Sequence, residues 1–266
     1  MPRRRTRQSA AWITRRPLWF LAGGALAVAA AGVLVWLAVF RSGGAGAPAG
    51  PPKAAIVDQL SFNAPNPDFV QQTTTLLEQV GYKVDYYAYE QVTVDFYRRL
   101  PERGYHLIIF RSHADRLQAQ WQGKPIDEVI LFTSERYNRS KYVSDQAANR
   151  LVIAKYSKDG EEYFGIAPDF FNKRIGQFKQ ATVIMMGCEG LLSTRTAQAF
   201  VDLGAKMYIS WDESVTASHT DRATSVLLQH LLVERKPPGD AVALTMADVG
   251  PDPLFGSRLR LYPPGG

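Results

Sequence analysis

Cysteine is almost missing from this chain of 266 residues: there is one, Cys188. A single thiol can make no internal disulfide and no cysteine-based metal cluster. Histidine is scarce too, at four residues, and no run of His, Asp and Glu has metal-ligand spacing. His219 and Asp221 come nearest, but they open a helical stretch beside Ser218 and Thr220, where caps are expected. Neither common glycine-rich phosphate loop occurs, because Gly23-Gly24 and Gly43-Gly44 fall in an apolar run and a spacer. No metal and no cofactor is therefore expected. From Met1 to Arg16 acids are absent against six arginines, Arg3, Arg4, Arg5, Arg7, Arg15 and Arg16, which equal the formal net charge of +6. After Lys53, 23 Lys and Arg face 25 Asp and Glu. A nearly neutral folded part with no basic run excludes nucleic acid as the expected partner.

What the chain does have is one long apolar run. Leu18–Phe40 spans 23 residues without a charge, with Trp19 and Trp36 near its ends. At about 1.5 Å per residue it is about 34 Å long as a helix, enough to cross a bilayer core of about 30 Å. The arginine excess before it predicts a single-pass anchor with a cytoplasmic tail at 1–17 and everything after Arg41 outside. A cleaved signal with Ala45-Gly46-Ala47 as its small-residue site, or a twin-arginine signal at Thr14-Arg15-Arg16, would export the remainder equally. Residues 41–53 are rich in Gly, Ala and Pro and read as a flexible linker.

From residue 54 to 266 one domain is expected. The run 54–60 reads as a strand, 69–80 as a helix, 83–89 as a strand, 92–100 as a short helix and 106–110 as a buried strand. That alternation is a doubly wound α/β pattern. It loosens at about 114–176, read as an insertion over one end of the sheet. Within it, 129–132 predicts a strand, and 151–157 with 161–166 around Asp159-Gly160 predict a hairpin. The pattern returns with the apolar run 182–186, a helix over 193–203, a strand at 206–211, a long helix over 218–234 and a short one near 241–248. The final PPGG is loop.

The apolar run 182–186 ends at Gly187-Cys188, and 106–110 ends three residues before His113. Groups at the carboxyl ends of parallel strands gather at one crevice, so a thiol and an imidazole are expected to meet there if the two strands are neighbours. Taken alone, Cys188 reads more plainly as a small buried hydrophobe and His113 as a loop residue. Together with Gly204-Ala205-Lys206 and Tyr208-Ile209-Ser210-Trp211-Asp212, however, this arrangement resembles the caspase-like cysteine peptidases, nearest their gingipain-like and separase-like branches. The resemblance covers roughly 106–230. It implies an α/β caspase–haemoglobinase-like three-layer sandwich with a mainly parallel central sheet. It also implies Cys188 as nucleophile, His113 as general acid and base, an oxyanion held by the backbone N–H groups of Ala114 and Cys188, and a peptide or protein substrate. Asp58 at the end of the first strand, Asp212 and Trp211 would shape the substrate pocket, with a carboxylate there favouring a basic side chain. Where the family usually has His-Gly, this chain has His113-Ala114. A catalytically silent module of the same fold, and a flavodoxin-like domain without thiol chemistry, are the alternatives.

Overall fold

The computed structural model describes residues 50–121, 124–172 and 176–264. The basic tail, the apolar run 18–40 and most of the linker lie outside the described residues. Among the described residues no helix is long and apolar enough to cross a membrane.

The inner strands of the central sheet form where the sequence offers a short apolar run, while its two edge strands, KVDYY and LRLY, are mixed. Lys53–Asp58 (β1) pairs in parallel with Lys83–Tyr87 (β2) on one side and Leu107–Arg111 (β3) on the other. Beyond β3 lie Thr182–Met185 (β8) and Met207–Trp211 (β9), both parallel, and then Leu259–Tyr262 (β10), antiparallel to β9. The order β10-β9-β8-β3-β1-β2 makes a six-stranded, mainly parallel sheet. β3, β9 and nearly all of β1 are buried throughout, as strands covered on both faces must be.

The crossovers place helices on both faces. Pro67–Gln79 (α1) starts at Asn66, whose side chain accepts from the Phe69 N–H at 3.1 Å. It leads from β1 outward to β2, and its Phe69 and Leu77 pack with Ile56, Ile109 and Ile184 on one face. Val94–Arg99 (α2) returns the chain past β1 to β3, and its Phe96 and Tyr97 pack with Val57, Phe110 and Met185 on the opposite face. Reversing the direction of travel along the sheet swaps the face, because parallel crossovers are right-handed. Arg195–Asp202 (α4) between β8 and β9 travels the same way as α2 and lies on the same face. Ala217–Leu228 (α5) and Pro238–Val249 (α6) complete the α1 face. The long helix expected over 218–234 is continuous from Ala217 to Val233, α to Leu228 and ending in a π turn at Gln229–Val233.

The insertion is a second sheet. Ala114–Trp121 (β4) and Lys124–Arg136 (β5) form an antiparallel pair that extends well beyond the short strand expected at 129–132. A short helix, Val143–Ala147 (α3), precedes the hairpin of Leu151–Lys155 (β6) and Glu162–Ile166 (β7), paired from Leu151↔Ile166 to Lys155↔Glu162. The strand order is β4-β5-β7-β6. Val129, Leu131, Phe164 and Ile166 join the core on the α2 face, so the insertion covers that face of the central sheet.

Candidate active site

β3 and β8 are direct neighbours, paired from Leu107↔Thr182 to Phe110↔Met185. Three further residues on each chain bring Ser112 level with Gly187 and His113 level with Cys188. The two backbones stay close over that distance: a Cβ on Gly187 would lie 2.4 Å from the Ser112 carbonyl oxygen and 3.1 Å from the Ala114 nitrogen. Only glycine fits there, so the residue before the thiol is fixed by the approach of the histidine loop. The condition on which the thiol and imidazole meet, adjacency of their strands, is met.

His113 is half-buried and held from several sides. Its backbone N–H donates to Gln59 Oε1 at 3.0 Å, and its ring Nε2 accepts from Asn63 Nδ2 at 3.0 Å, which leaves the proton of the neutral ring on Nδ1. Tyr156, at the end of β6, packs its ring 4.9 Å from the imidazole centroid, and its hydroxyl takes a hydrogen bond from Gln59 Nε2. Burial pushes the His113 pKa below its ordinary 6.5, partly opposed by the charge of Asp115. The ring is therefore neutral at neutral pH.

Cys188 is half-buried, and its Sγ is engaged by the loop after β9. The thiol donates to the Val215 carbonyl at 3.5 Å and accepts from the Val215 N–H at 3.4 Å. Burial raises its pKa above the ordinary 9.0, the Val215 hydrogen bond pulls it back, and the charges of Glu189 and Asp115 add to the rise. At rest the thiol is thus protonated and held by Val215, and the imidazole is neutral and held by Asn63. The turn that carries the thiol is strapped to the same loop by Glu189 N–H to Glu213 O at 3.0 Å, Leu191 N–H to Trp211 O at 2.8 Å and Ser214 Oγ to Glu189 Oε1 at 3.1 Å. Glu189 adopts φ 58, and a Cβ on Gly190 would overlap the buried Ser210 hydroxyl, so this turn is tightly determined.

The Ala114 amide is placed by the second sheet. The Phe132 N–H donates to the His113 carbonyl at 3.1 Å, a single bond just before the ladder, since the His113 N–H goes to Gln59. The first ladder pair, Ala114↔Leu131, is then of the non-hydrogen-bonded kind, with the Ala114 N–H directed away from β5 and its nitrogen 3.1 Å from the position of a Cβ on Gly187. That direction suits a donor to an oxyanion formed at Cys188.

Asp58 does not face the substrate as expected. It is 1% exposed, and its Oδ1 accepts from Arg111 Nη1 at 2.9 Å. Arg111, equally buried, also holds Asp221 of α5 through Nε at 2.8 Å and Nη2 at 3.0 Å. Burial pushes the Asp58 carboxyl above its ordinary range against the pull of Arg111. The carboxylate is thus committed to an internal ion pair beneath the site. Trp211 is fully buried on the α1 face, with Nε1 donating to Thr220 Oγ1 at 2.9 Å, which makes it core and not a pocket wall. Asp212 binds the Arg258 N–H at 2.6 Å and Arg260 Nε at 2.8 Å, so it fastens β10 to the end of β9. Asp221 is the partner of Arg111, and His219 binds the Gly250 carbonyl at 3.2 Å. Asp127, Glu128 and Glu135 are paired separately with Arg116, Arg195 and Lys141.

Gln59, Asn63, Tyr156 and Val215 were not singled out by the sequence. Gln59 follows the first strand directly, and a polar residue in that place was the available signal. Val215 contributes only its backbone, which no side-chain pattern reveals.

No family model matches the chain and no curated protein matches it. Among solved structures, the crystal structure of protein GSU0716 from Geobacter sulfurreducens is similar over 79% of this chain and 93% of that one, at 8% identity and a TM-score of 0.40. A likeness at that distance carries no inference about the site.

Proposed function

We propose that the chain is a caspase-like cysteine endopeptidase, with the caspase–haemoglobinase-like fold that this implies, Cys188 as nucleophile and His113 as general base and acid. The observation that carries the reading is the register of β3 with β8, which sets His113 and Cys188 in the same rank at the carboxyl ends of neighbouring parallel strands. The Ala114 nitrogen, free of β5 and close to Gly187, supports it, since acyl transfer needs donors near the developing oxyanion.

In this reading the thiol exchanges its Val215 partner for the imidazole as substrate enters. Sγ attacks the peptide carbonyl while His113 takes the thiol proton. The Cys188 and Ala114 amides hold the oxyanion, and His113 returns the proton to the departing amine. Water then cleaves the thioester with His113 again as base. Asp115 and Glu189 are the acids whose charge reaches Cys188. They, in place of Asp58, favour a basic side chain near the cleaved bond. The protein acts outside the cytoplasm, held to the membrane by residues 18–40.

One observation favours a second reading, a silent module of the same fold that binds a peptide without cleaving it: the resting thiol is protonated and bound to Val215. Cys188→Ala decides between them. Hydrolysis of a peptide panel with Arg, Lys, Asp or Asn before the scissile bond should fall at least about a thousandfold, the loss expected when a nucleophile is removed. Hydrolysis equal in the wild type and the variant would sink the enzyme; binding without turnover in both would establish the silent module.

A further inference from the structure

The end of the central sheet remote from Cys188 carries a surface that the chemistry at Cys188 does not use. Three adjoining hollows open there, sharing Gln79, Tyr82, Leu231, Leu232 and Val233, and the largest holds about 700 Å³. Pro52, directly before β1, lines one of them, and the first residues of β3, β8 and β9 line another. The π turn at Gln229–Val233 leaves Leu231 and Leu232 only half-buried and Val233 46% exposed. Lys206, Arg235 and Lys236 stand in the lining, and no Asp or Glu does. Of the two acids adjacent in sequence to lining residues, Glu234 is turned to His230 Nδ1 at 3.1 Å, and Glu78 is exposed beside Gln79 on α1.

We propose that this face docks on an anionic lipid surface, with Leu231, Leu232 and Val233 meeting the acyl boundary and Lys206, Arg235 and Lys236 the headgroups. Two features select lipid over a protein partner. The charged residues of the lining are all cations and share it with half-buried apolar side chains, the composition of peripheral membrane contacts. The chain also enters the domain here. Residue 40, the end of the apolar run, lies 12 positions before Pro52 in the sequence, a spacer that reaches at most about 40 Å when fully extended. The inference rests on residues 18–40 as a membrane span and is independent of the peptidase reading. If it holds, Cys188 points away from the bilayer, toward substrates in the aqueous phase.

The test uses the full chain carrying Cys188→Ser and Val233→Cys, reconstituted into vesicles and labelled with a nitroxide at the new thiol. A control carries the label through Leu254→Cys, a position 71% exposed on a loop outside the lining. In vesicles of phosphatidylcholine with phosphatidylglycerol, a water-soluble nickel complex should reach the Val233→Cys label at least about fivefold less than in phosphatidylcholine alone, the effect of even one cation at an anionic surface. The Leu254→Cys label should not change, and adding Lys206→Glu, Arg235→Glu and Lys236→Glu should restore access. Equal nickel access in the two kinds of vesicle overturns the docking. Dipolar coupling between labels, marking a second copy on this face, overturns it as well. Release of the chain by an alkaline wash overturns the span and the docking with it.

Discussion

At the scale of single residues, the site is defined by what burial does to two titratable groups. A half-buried imidazole loses its proton below 6.5 and a half-buried thiol keeps its own above 9.0. Over the interval between them both groups are neutral, so the resting pair is thiol and imidazole, not thiolate and imidazolium. If the proposed peptidase chemistry holds, kcat/KM should therefore form a bell, with its acid limb below 6.5, where His113 becomes protonated and can no longer accept the thiol proton. Its basic limb should lie above 9.0. Alkylation by iodoacetamide separates the two descriptions directly. Because only thiolate reacts, the rate at Cys188 should climb about tenfold per pH unit through neutrality without levelling, whereas a preformed ion pair would give a plateau from acid pH onward. A plateau below pH 7 would overturn the neutral-pair description.

At the scale of elements, two strand ends and the turns after them set the distance between these groups. Gly187 is the contact point, its missing side chain making room for the Ser112 carbonyl. Gly187→Ala should force the end of β8 away from β3, costing about 1–3 kcal/mol of stability and a larger share of activity, because a displacement of about 1 Å at a reacting pair costs about a hundredfold. Urea midpoint and kcat measured together check this; unchanged kcat would show that the β3–β8 contact does not set the geometry. These strands were legible because a strand buried on both faces leaves an unbroken apolar run, as 106–110 and 182–186 do. The hairpin of β6 and β7 was legible through its Asp159-Gly160 turn. β4 was not, since Arg116, Gln118 and Gln120 interrupt any apolar run and its pairing partner supplies the order. Nor was the role of Asp58. Arg111 continues an apolar strand without a break, and a charge in so buried a place needs a partner. Register alone, Asp58↔Arg111, identifies it. Val215 acts through its backbone, so its part in the site has no signature in side-chain type.

At the scale of the whole molecule, Arg111 joins early and late parts of the chain by a buried charge. Asp58 ends β1, Asp221 lies on α5, and Asn66 at the start of α1 adds its amide to Asp221 at 2.8 Å. Arg111→Ala would leave two buried carboxylates without a counter-ion, which costs about 3–5 kcal/mol, a large part of the stability of a typical domain. Urea denaturation should show the full loss in one transition, and a loss below about 1 kcal/mol would mean that the carboxylates find other partners. Strand order carries a different kind of consequence. β8 lies inside the sheet, between β3 and β9, yet it begins 71 positions after β3 ends. At a synthesis rate of about 5–20 residues per second, β8 follows β3 by about 4–14 s. Throughout that interval one edge of Leu107–Phe110, among the most apolar stretches of the sheet, has no partner strand and can template pairing with another nascent chain. The most vulnerable period in the life of this protein is thus its manufacture, when the segment that will silence that edge has yet to leave the ribosome.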